Sequence, residues 1–249
     1  MMSDRLFYIS ASQLGTFFQC PARYAFTRQY VSLDEDPWWL RDGTIAHKIM
    51  AGQEYENSAR AVRMAGMAQE YLQRKKYEIL GNEIKQLIRL TSVIRLQRTI
   101  DVLAVDGDGP VLLDFKFTGK AWDQTPEGIA PKATGFQSQC YLIEPDDPAP
   151  FNKWPERIHF IVVDEDRVEM YPYTRRPDDL REIRQAAAMM KKSWDKQWLP
   201  KVRGHLCARY CEMRRVCFQE EGEFGWRYFY DPISNDPYKP DVRYEKEIE

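Results

Sequence analysis

The chain has 249 residues, of which 43% are hydrophobic and 30% are charged. This length can bury the core of one large domain or two small ones, and the composition excludes a disordered chain and a collagen-like repeat. Lys and Arg number 36 against 38 Asp and Glu, so the formal net charge is -2 and no overall field attracts nucleic acid or an acidic membrane. Such a partner must be bound by local patches.

The apolar stretches and the cysteines indicate the cellular compartment. The stretch from Ile158 to Val163 is far shorter than the roughly 18 to 20 residues of a membrane helix. Residues 1–10 contain Asp4 and lack the apolar core of a secretory signal. We therefore expect a cytoplasmic protein without a membrane span. Its 5 cysteines are too few for a disulfide scaffold, and a C-terminal group indicates metal binding: Cys207, Cys211 and Cys217.

Helical and strand patterns alternate along the chain. Helical spacing of apolar residues begins after Ser10, with Ser12 as the candidate N-cap and Pro21 as a break. A second helix is predicted after Gly43 and carries His47. The later predicted elements are a helix over 59–77, a hairpin within 96–117, a short helix over 136–143, strands over 157–163 and 167–173, and a helix opened by Pro177 and Asp178.

Two segments lack regular patterns. Residues 118–135 contain glycine and proline and are predicted to form a long loop, which in a compact domain is more often functional than idle. Gly119 and Lys120 lack the spacing of a phosphate-binding loop, so an ATP motor is excluded. Residues 224–249 show no periodicity, and we expect an arm or a partly ordered segment.

The predicted hairpin brings two carboxylates together. The turn at residues 106–109 sets Asp101 directly opposite Asp114 in an antiparallel register, with Cβ atoms about 4.5 to 5.5 Å apart. Like charges in this position are destabilising unless a positive group lies between them, and Lys116 points to the same face. Two such carboxylates can share a divalent cation while the lysine holds a water or stabilises developing charge, which is the chemistry of phosphodiester hydrolysis. A short Asp-x-Lys pattern also occurs on solvated strand faces.

Four further side chains accompany this pattern. Gln137 and Tyr141 are four residues apart, so a helix places both on one face, where they could contact a DNA phosphate or a metal-bound water. Cys140 is typical of a small buried hydrophobic residue. Glu83 could supply another carboxylate, although a solvated charge on a helix is the simpler interpretation.

The order of these motifs resembles the PD-(D/E)XK nuclease superfamily in its RecB-like exonuclease branch. The resemblance extends from Ser10 to Cys217, and residues 111–119 are especially similar to the metal-binding strand of that branch. Residues 12–24 resemble the opening of the members that carry an iron-sulfur cluster, among them AddB nuclease domains and CRISPR-associated nucleases that trim spacers. The family usually has a glycine shortly before the first aspartate, where this chain has the sequence Arg98-Thr99-Ile100.

The resemblance implies an α/β protein with a restriction-endonuclease-like core, in which helices flank a mixed β-sheet and a metal-cluster clasp joins the N- and C-terminal segments. It implies a nuclease domain over residues 1–218 and a C-terminal arm over 219–249. The implied ligands of Mg²⁺ or Mn²⁺ are His47, Asp101 and Asp114, the implied catalytic lysine is Lys116, and the residues implied to orient the substrate strand are Gln137 and Tyr141.

Family members with a cluster use one N-terminal and three C-terminal cysteines. The corresponding residues here are Cys20, Cys207, Cys211 and Cys217, and four thiolates suit a structural 4Fe-4S cluster. A tetrahedral Zn²⁺ site is an alternative, with His205 or Cys20 as the fourth ligand. Free buried thiols are the third possibility.

The expected activity is that of a metal-dependent DNA exonuclease acting on single-stranded or end-processed DNA in repair, recombination or end processing. Its expected partners are DNA and a helicase, recombinase or single-strand-binding protein. The alternatives are a structure-specific endonuclease and a non-catalytic scaffold that binds DNA ends. Four basic clusters could line a DNA-binding groove or be solvated: Arg74-Lys75-Lys76, Arg175-Arg176, Lys191-Lys192 and Arg214-Arg215. Three tryptophans could stack on bases or pack in a core: Trp38, Trp39 and Trp122.

Overall fold

A computed structural model describes residues 6–32, 38–118, 135–146, 153–202 and 228–230. The chain divides into two units. The first contains Met1–Glu35, Leu90–Leu96 and Arg184–Glu249, and the second contains Asp36–Arg89 and Gln97–Ile183.

The described helices and strands have the following bounds. The helices are α1 (Ala11–Gln19), α2 (Pro21–Gln29), α3 (Trp38–Met50), α4 (Ala59–Arg74), α5 (Phe136–Tyr141) and α6 (Asp179–Asp195). The strands are β1 (Phe7–Ser10), β2 (Tyr30–Ser32), β3 (Glu78–Arg89), β4 (Ile94–Asp106), β5 (Gly109–Phe117), β6 (Arg157–Val163), β7 (Val168–Thr174) and β8 (Tyr228–Tyr230).

The first unit begins with a capped helix. The Ser10 hydroxyl accepts a hydrogen bond from the Gln13 backbone N–H at 3.2 Å, and the Gln13 side chain accepts one from the Ser10 N–H at 3.0 Å. This reciprocal capping box makes Ser10 the N-cap, so the prediction of Ser12 is wrong. The predicted break is present, because α1 ends before Cys20 and Pro21 begins α2, where its missing N–H costs nothing.

The C-terminal tail contributes a strand to the first unit. Strand β8 pairs antiparallel with β2, with Tyr230 opposite Tyr30 and Tyr228 opposite Ser32. Residues 224–249 were expected to form an arm or a partly ordered segment, and residues 228–230 of this tail form a strand. Its signal is missing from the sequence pattern because three residues are too few to show a period.

The second unit is built on a mixed sheet. Strand β5 pairs antiparallel with β4 and parallel with β6, and β6 pairs antiparallel with β7. Strand β3 also pairs with β4, and β1 lies beside β4, whose first residues belong to the first unit. The hairpin and the strand pair of β6 and β7 are confirmed at nearly the predicted bounds.

Two apolar clusters cover opposite faces of this sheet. One joins Ile45 of α3 and Met64 of α4 to Leu113 and Phe115 of β5. The other joins Leu112 of β5 to residues of β4, β6 and β7, with Tyr141 at the end of α5 packed against it. The fold is therefore a mixed α/β arrangement with a mixed sheet flanked by helices, consistent with a restriction-endonuclease-like core.

Strand β3 was not predicted from the sequence. Most of its side chains are at least partly exposed, so it lacks the alternation of apolar and polar residues that identifies a half-buried strand. Glu83 lies in this strand with a φ of 52°, which corrects its interpretation as a charge on a helix. No helix within the described ranges is long and apolar enough to cross a membrane.

Candidate active site

The β4–β5 hairpin supplies the acidic residues of the site. Its turn contains two residues, because Asp106 pairs with Gly109, and the ladder runs back to the pair of Val102 and Leu113. Gly109 has a φ of +106°, a conformation that glycine adopts readily. This register is the predicted one, and Asp101 and Asp114 are the next residues beyond its last pair.

The alternation of side chains slips at Asp101. Ile100 and Leu103 pack in the same cluster, whereas Val102 packs in the cluster on the other face. A regular strand would place Ile100 and Val102 on the same face, so the strict alternation of side chains is broken within residues 99–105. In place of a regular ladder bond, the Asp101 carboxylate accepts a hydrogen bond from the backbone N–H of Phe115 at 2.8 Å. Local irregularities of this kind re-aim side chains next to active sites.

Asp114 and Lys116 form an ion pair at the end of β5. Asp114 is 1% exposed, and its Oδ2 faces the Lys116 ammonium. Burial and, secondarily, the negative charge of Asp114 raise the pKa of Asp101 to about 8, while Lys116 acts in the opposite direction. Asp114 thus contacts Lys116, and its negative charge disfavours ionisation of Asp101, which is the like-charge repulsion that the sequence predicts.

Helix α5 completes one side of the site. The Gln137 Nε2 donates to Asp114 Oδ1 at 3.2 Å and to the Tyr141 hydroxyl at 3.0 Å. The two residues share a face because they are four apart on the helix, as predicted. Cys140 points elsewhere and is fully buried, which matches the prediction of a small hydrophobic residue.

His47 enters from α3. Its Nδ1 lies 3.7 Å from Asp101 Oδ2, and its ring meets the Phe117 ring edge-on at a centroid distance of 5.0 Å. Burial lowers the pKa of His47, although Asp114 raises it, and a neutral imidazole is the form that can ligate a metal. The helix starts nine residues before His47, at Trp38, and not after Gly43 as predicted.

A glycine lets α3 approach β5 closely. A Cβ added to Gly43 would lie 3.3 Å from the backbone oxygen of Phe117, one helical turn before His47. A methyl group there must push the helix and strand apart by a few tenths of an ångström. Gly43 therefore fixes the distance between His47 and the hairpin.

We expect Gly43→Ala to lower the rate of DNA cleavage several-fold, because it shifts His47 relative to Asp101 and small misplacements of active-site groups are costly. Gly66→Ala in α4 is the matched control. A Cβ at Gly66 has no neighbour within 4 Å, so this change should stabilise the helix by roughly 0.5 to 1 kcal/mol and preserve the rate. Steady-state cleavage and thermal melts of both variants check this, and equal rates for both would contradict it.

The donor types suit a hard divalent cation, because Asp101, Asp114 and His47 offer carboxylate oxygens and an imidazole nitrogen. His47 lies 3.7 Å from Asp101 and Asp114 faces Lys116, but the described side chains do not bring three such ligands together in one group. Within the described residues, the buried Oδ2 atom of Asp114 makes an ion pair with Lys116 and has no other hydrogen-bond partner. Buried carboxylate atoms are normally satisfied, so this oxygen is suited to a cation.

The sequence did not indicate how α5 is held. The Gln139 side chain donates to Asp179 Oδ1 at 3.1 Å and to Glu182 Oε2 at 2.6 Å. Asp179 is 1% exposed and also accepts bonds from Tyr173 and Arg176. This network engages Arg176, and Arg175 pairs with Glu156, so neither arginine is a freely solvated charge.

Other predicted residues lie partly or wholly outside the described residues. Of the four cysteines predicted to bind a cluster, Cys20 is described and is partly exposed. The other three lie outside the described residues, together with several further predicted positions: Cys207, Cys211, Cys217, His205, Arg214-Arg215, Trp122 and residues 119–134. Lys191 pairs with Asp195 at 2.6 Å. The described residues contain no cluster of three or more potential metal ligands drawn from His, Cys, Asp and Glu.

The mixed α/β fold is accompanied by a match to a known family. Residues 8–218 match the family model of the PD-(D/E)XK nuclease superfamily, and the chain belongs to that superfamily. Its members generally use Mg²⁺ or Mn²⁺, and the family implies DNA as the substrate. No curated protein matches the chain.

Several solved structures are similar in fold. The crystal structure of SSO0001 is 16% identical, covering 84% of this chain and 85% of that one, with a TM-score of 0.45. LHK-Exo in complex with dAMP is 11% identical, covering 78% and 89%, with a TM-score of 0.39. The alkaline exonuclease LHK-Exo from Laribacter hongkongensis is 14% identical, covering 78% and 90%, with a TM-score of 0.38. At these TM-scores the likenesses add nothing about activity.

Proposed function

We propose that this protein is a divalent-metal-dependent DNA exonuclease of the RecB-like branch, acting on single-stranded or end-processed DNA. The observation that carries the proposal is the convergence of Asp101, Asp114 and Lys116 at the point where the β4–β5 ladder ends. Two buried carboxylates that repel each other lower the stability of the fold, and their use in binding a cation accounts for this loss of stability.

In this proposal His47, Asp101 and Asp114 hold Mg²⁺ or Mn²⁺, which when bound activates water and neutralises charge at the scissile phosphate. The Lys116 ammonium holds the attacking water or stabilises the charge that develops on phosphorus oxygens. Gln137 and Tyr141 orient the substrate strand, since their polar groups already converge on Asp114. These roles belong to groups within one structural unit.

Release of nucleotides from 5′- and 3′-labelled single- and double-stranded DNA tests the proposal directly. We expect metal-dependent loss of label from one end, abolished by EDTA. Internal cuts at junctions or flaps would instead indicate a structure-specific endonuclease. Binding of DNA ends without cleavage in either metal would indicate a scaffold subunit.

We further propose that Cys20, Cys207, Cys211 and Cys217 hold a structural 4Fe-4S cluster that joins the chain ends. The Cys20 Sγ accepts the Arg23 backbone N–H at 3.4 Å at the start of α2. We propose a structural role for this cluster.

Iron, sulfide and zinc analysis of anaerobically purified protein tests this clasp. We expect about four irons and four sulfides per chain in the wild type, and loss of the cluster in Cys20→Ser. Cys140→Ser is the matched control and should retain it, because Cys140 is buried in the second unit. Stoichiometric zinc would establish the alternative site, and metal-free protein would exclude both.

The remaining proposals concern organisation. We assign residues 1–218 to the nuclease domain and residues 219–249 to a C-terminal arm that includes β8. We propose a cytoplasmic role in repair, recombination or end processing, with a helicase, recombinase or single-strand-binding protein as partner. Co-purification from cells with induced DNA damage tests the partner class.

A further inference from the structure

Arg98 is a buried arginine placed just ahead of the first acidic residue. It lies in β4, three positions before Asp101, and is 3% exposed. Burying a guanidinium is costly unless it is hydrogen-bonded. Burial lowers the pKa of Arg98 to about 9, which still leaves the side chain charged at neutral pH.

The contacts of Arg98 converge on the end of α5. Its Nη1 donates to the backbone oxygens of Cys140 at 2.6 Å and Tyr141 at 2.7 Å, and its Nε donates to Gln86 Oε1 at 2.8 Å. The guanidinium carbon lies 4.9 Å from the centroid of the Trp154 ring. Gln86 and Trp154 therefore orient the guanidinium, and its Nη1 binds two carbonyls of the helix terminus.

Helix α5 needs such support. It has only six residues, well below the length at which an isolated helix is stable in water. The carbonyls of its last turn have no partners within the helix, and a cation at this end also interacts favourably with the helix dipole. Trp154 contributes one further bond, from Nε1 to the Tyr141 oxygen at 2.9 Å.

The carbonyls that Arg98 binds belong to the helix turn that carries Tyr141. The Tyr141 hydroxyl meets Gln137, which in turn donates to Asp114. A shift of this turn therefore moves the polar groups that face the carboxylates. We propose that Arg98 is a positioning residue for phosphodiester cleavage, which sets Tyr141 and Gln137 against Asp114 through the backbone of α5. This inference rests on the proposed nuclease function.

Substitution of Arg98 tests the inference. We expect Arg98→Met, assayed well below its melting temperature, to lower kcat about tenfold or more with less than about a twofold change in KM. Arg98→Lys keeps the charge and one donor group, so it should restore part of kcat. If Arg98→Met does not fold, Gln86→Leu removes only the acceptor of Nε and should lower the same parameter to a smaller extent.

Arg157→Met is the matched control. Arg157 donates to Asp106 at 2.7 Å and to the Gly109 carbonyl at 3.1 Å, so these hydrogen bonds hold the turn of the hairpin and do not involve α5. The control should lower the melting temperature while kcat is retained. The comparison distinguishes the general effect of removing a hydrogen-bonded arginine from the specific effect of removing Arg98.

Two further readouts distinguish positioning from general stability. Hydrogen exchange over residues 136–141 should accelerate in Arg98→Met and stay unchanged in Arg157→Met. In a Tyr141→Phe background, the effect of Arg98→Met on kcat should be smaller than in the wild type, because the part that acts through the Tyr141 hydroxyl is already lost and residues that act through one another are not additive.

The inference is overturned if Arg98→Met retains wild-type kcat, or if its loss of kcat is fully additive with Tyr141→Phe and exchange over α5 is unchanged. An inactive wild type would instead refute the proposed nuclease function. Cleavage by the wild type that is lost in Asp114→Asn but retained in Arg98→Met refutes the positioning role alone.

Discussion

Replacement of Asp114 by asparagine is expected to abolish DNA cleavage, with a loss of roughly a thousandfold or more, since a bound metal contributes several kcal/mol and each 1.4 kcal/mol is about tenfold in rate. The change removes the buried charge that faces Lys116 and Gln137. Labelled-DNA cleavage in Mg²⁺ and Mn²⁺ measures the effect. Cation affinity, followed by Mn²⁺ electron paramagnetic resonance, should fall in parallel.

Asp108→Asn is the control for this loss. Asp108 lies on the turn of the same hairpin with a side chain that is 86% exposed, so the same chemical change should preserve both rate and cation affinity. Folding is checked by thermal melts. Asp114→Asn relieves the repulsion of Asp101 but leaves Lys116 without its partner, so we expect a small net change in stability. Wild-type cleavage by this variant would show that the carboxylate pair is not the active site.

Lys116→Met should separate catalysis from cation binding. We expect the cleavage rate to fall by roughly a hundredfold or more, the scale seen when one charge-stabilising donor is removed from an active site. Because the Lys116 ammonium faces the Asp114 oxygen that is suited to the cation, its removal should leave Mn²⁺ affinity unchanged or higher. The cleavage rate and the Mn²⁺ affinity therefore both fall in Asp114→Asn, whereas only the cleavage rate falls in Lys116→Met.

Lys85→Met, on the exposed side of β3, provides the matched lysine control and should alter neither quantity. A parallel loss of Mn²⁺ affinity in Lys116→Met would mean that the ammonium supports the cation site. That outcome would contradict the division of roles proposed for the hairpin.

Much of the site could be predicted because its signal is local. The two-residue turn fixes the register of β4 and β5, and the register brings Asp101 close to Asp114. The spacing of Gln137 and Tyr141 places both on one helical face. Each inference uses residues that are near in sequence, where geometry leaves little freedom.

The remainder depends on tertiary contacts that no local pattern encodes. The slip at Asp101 is visible only once Ile100 and Val102 are seen in different clusters. Arg98 bonds to carbonyls more than 40 residues away, and a polar side chain inside a strand pattern gives no indication of this. Strand β3 was missed because exposed strands lack a hydrophobic period.

The parallel pairing of β5 with β6 also has a consequence for the timing of synthesis. Leu112 pairs with Ile158 and Phe117 with Val163, so the chain must extend past a long connection before this part of the sheet can close, and such distant pairings form slowly. A ribosome-bound chain that ends before residue 135 contains the hairpin carboxylates and Lys116 but lacks α5 and the later strands. The nascent protein thus acquires its acidic pair well before Gln137 and Tyr141, the residues that we propose align a nucleic-acid strand, and the sheet around the pair is complete only after β6 has been made.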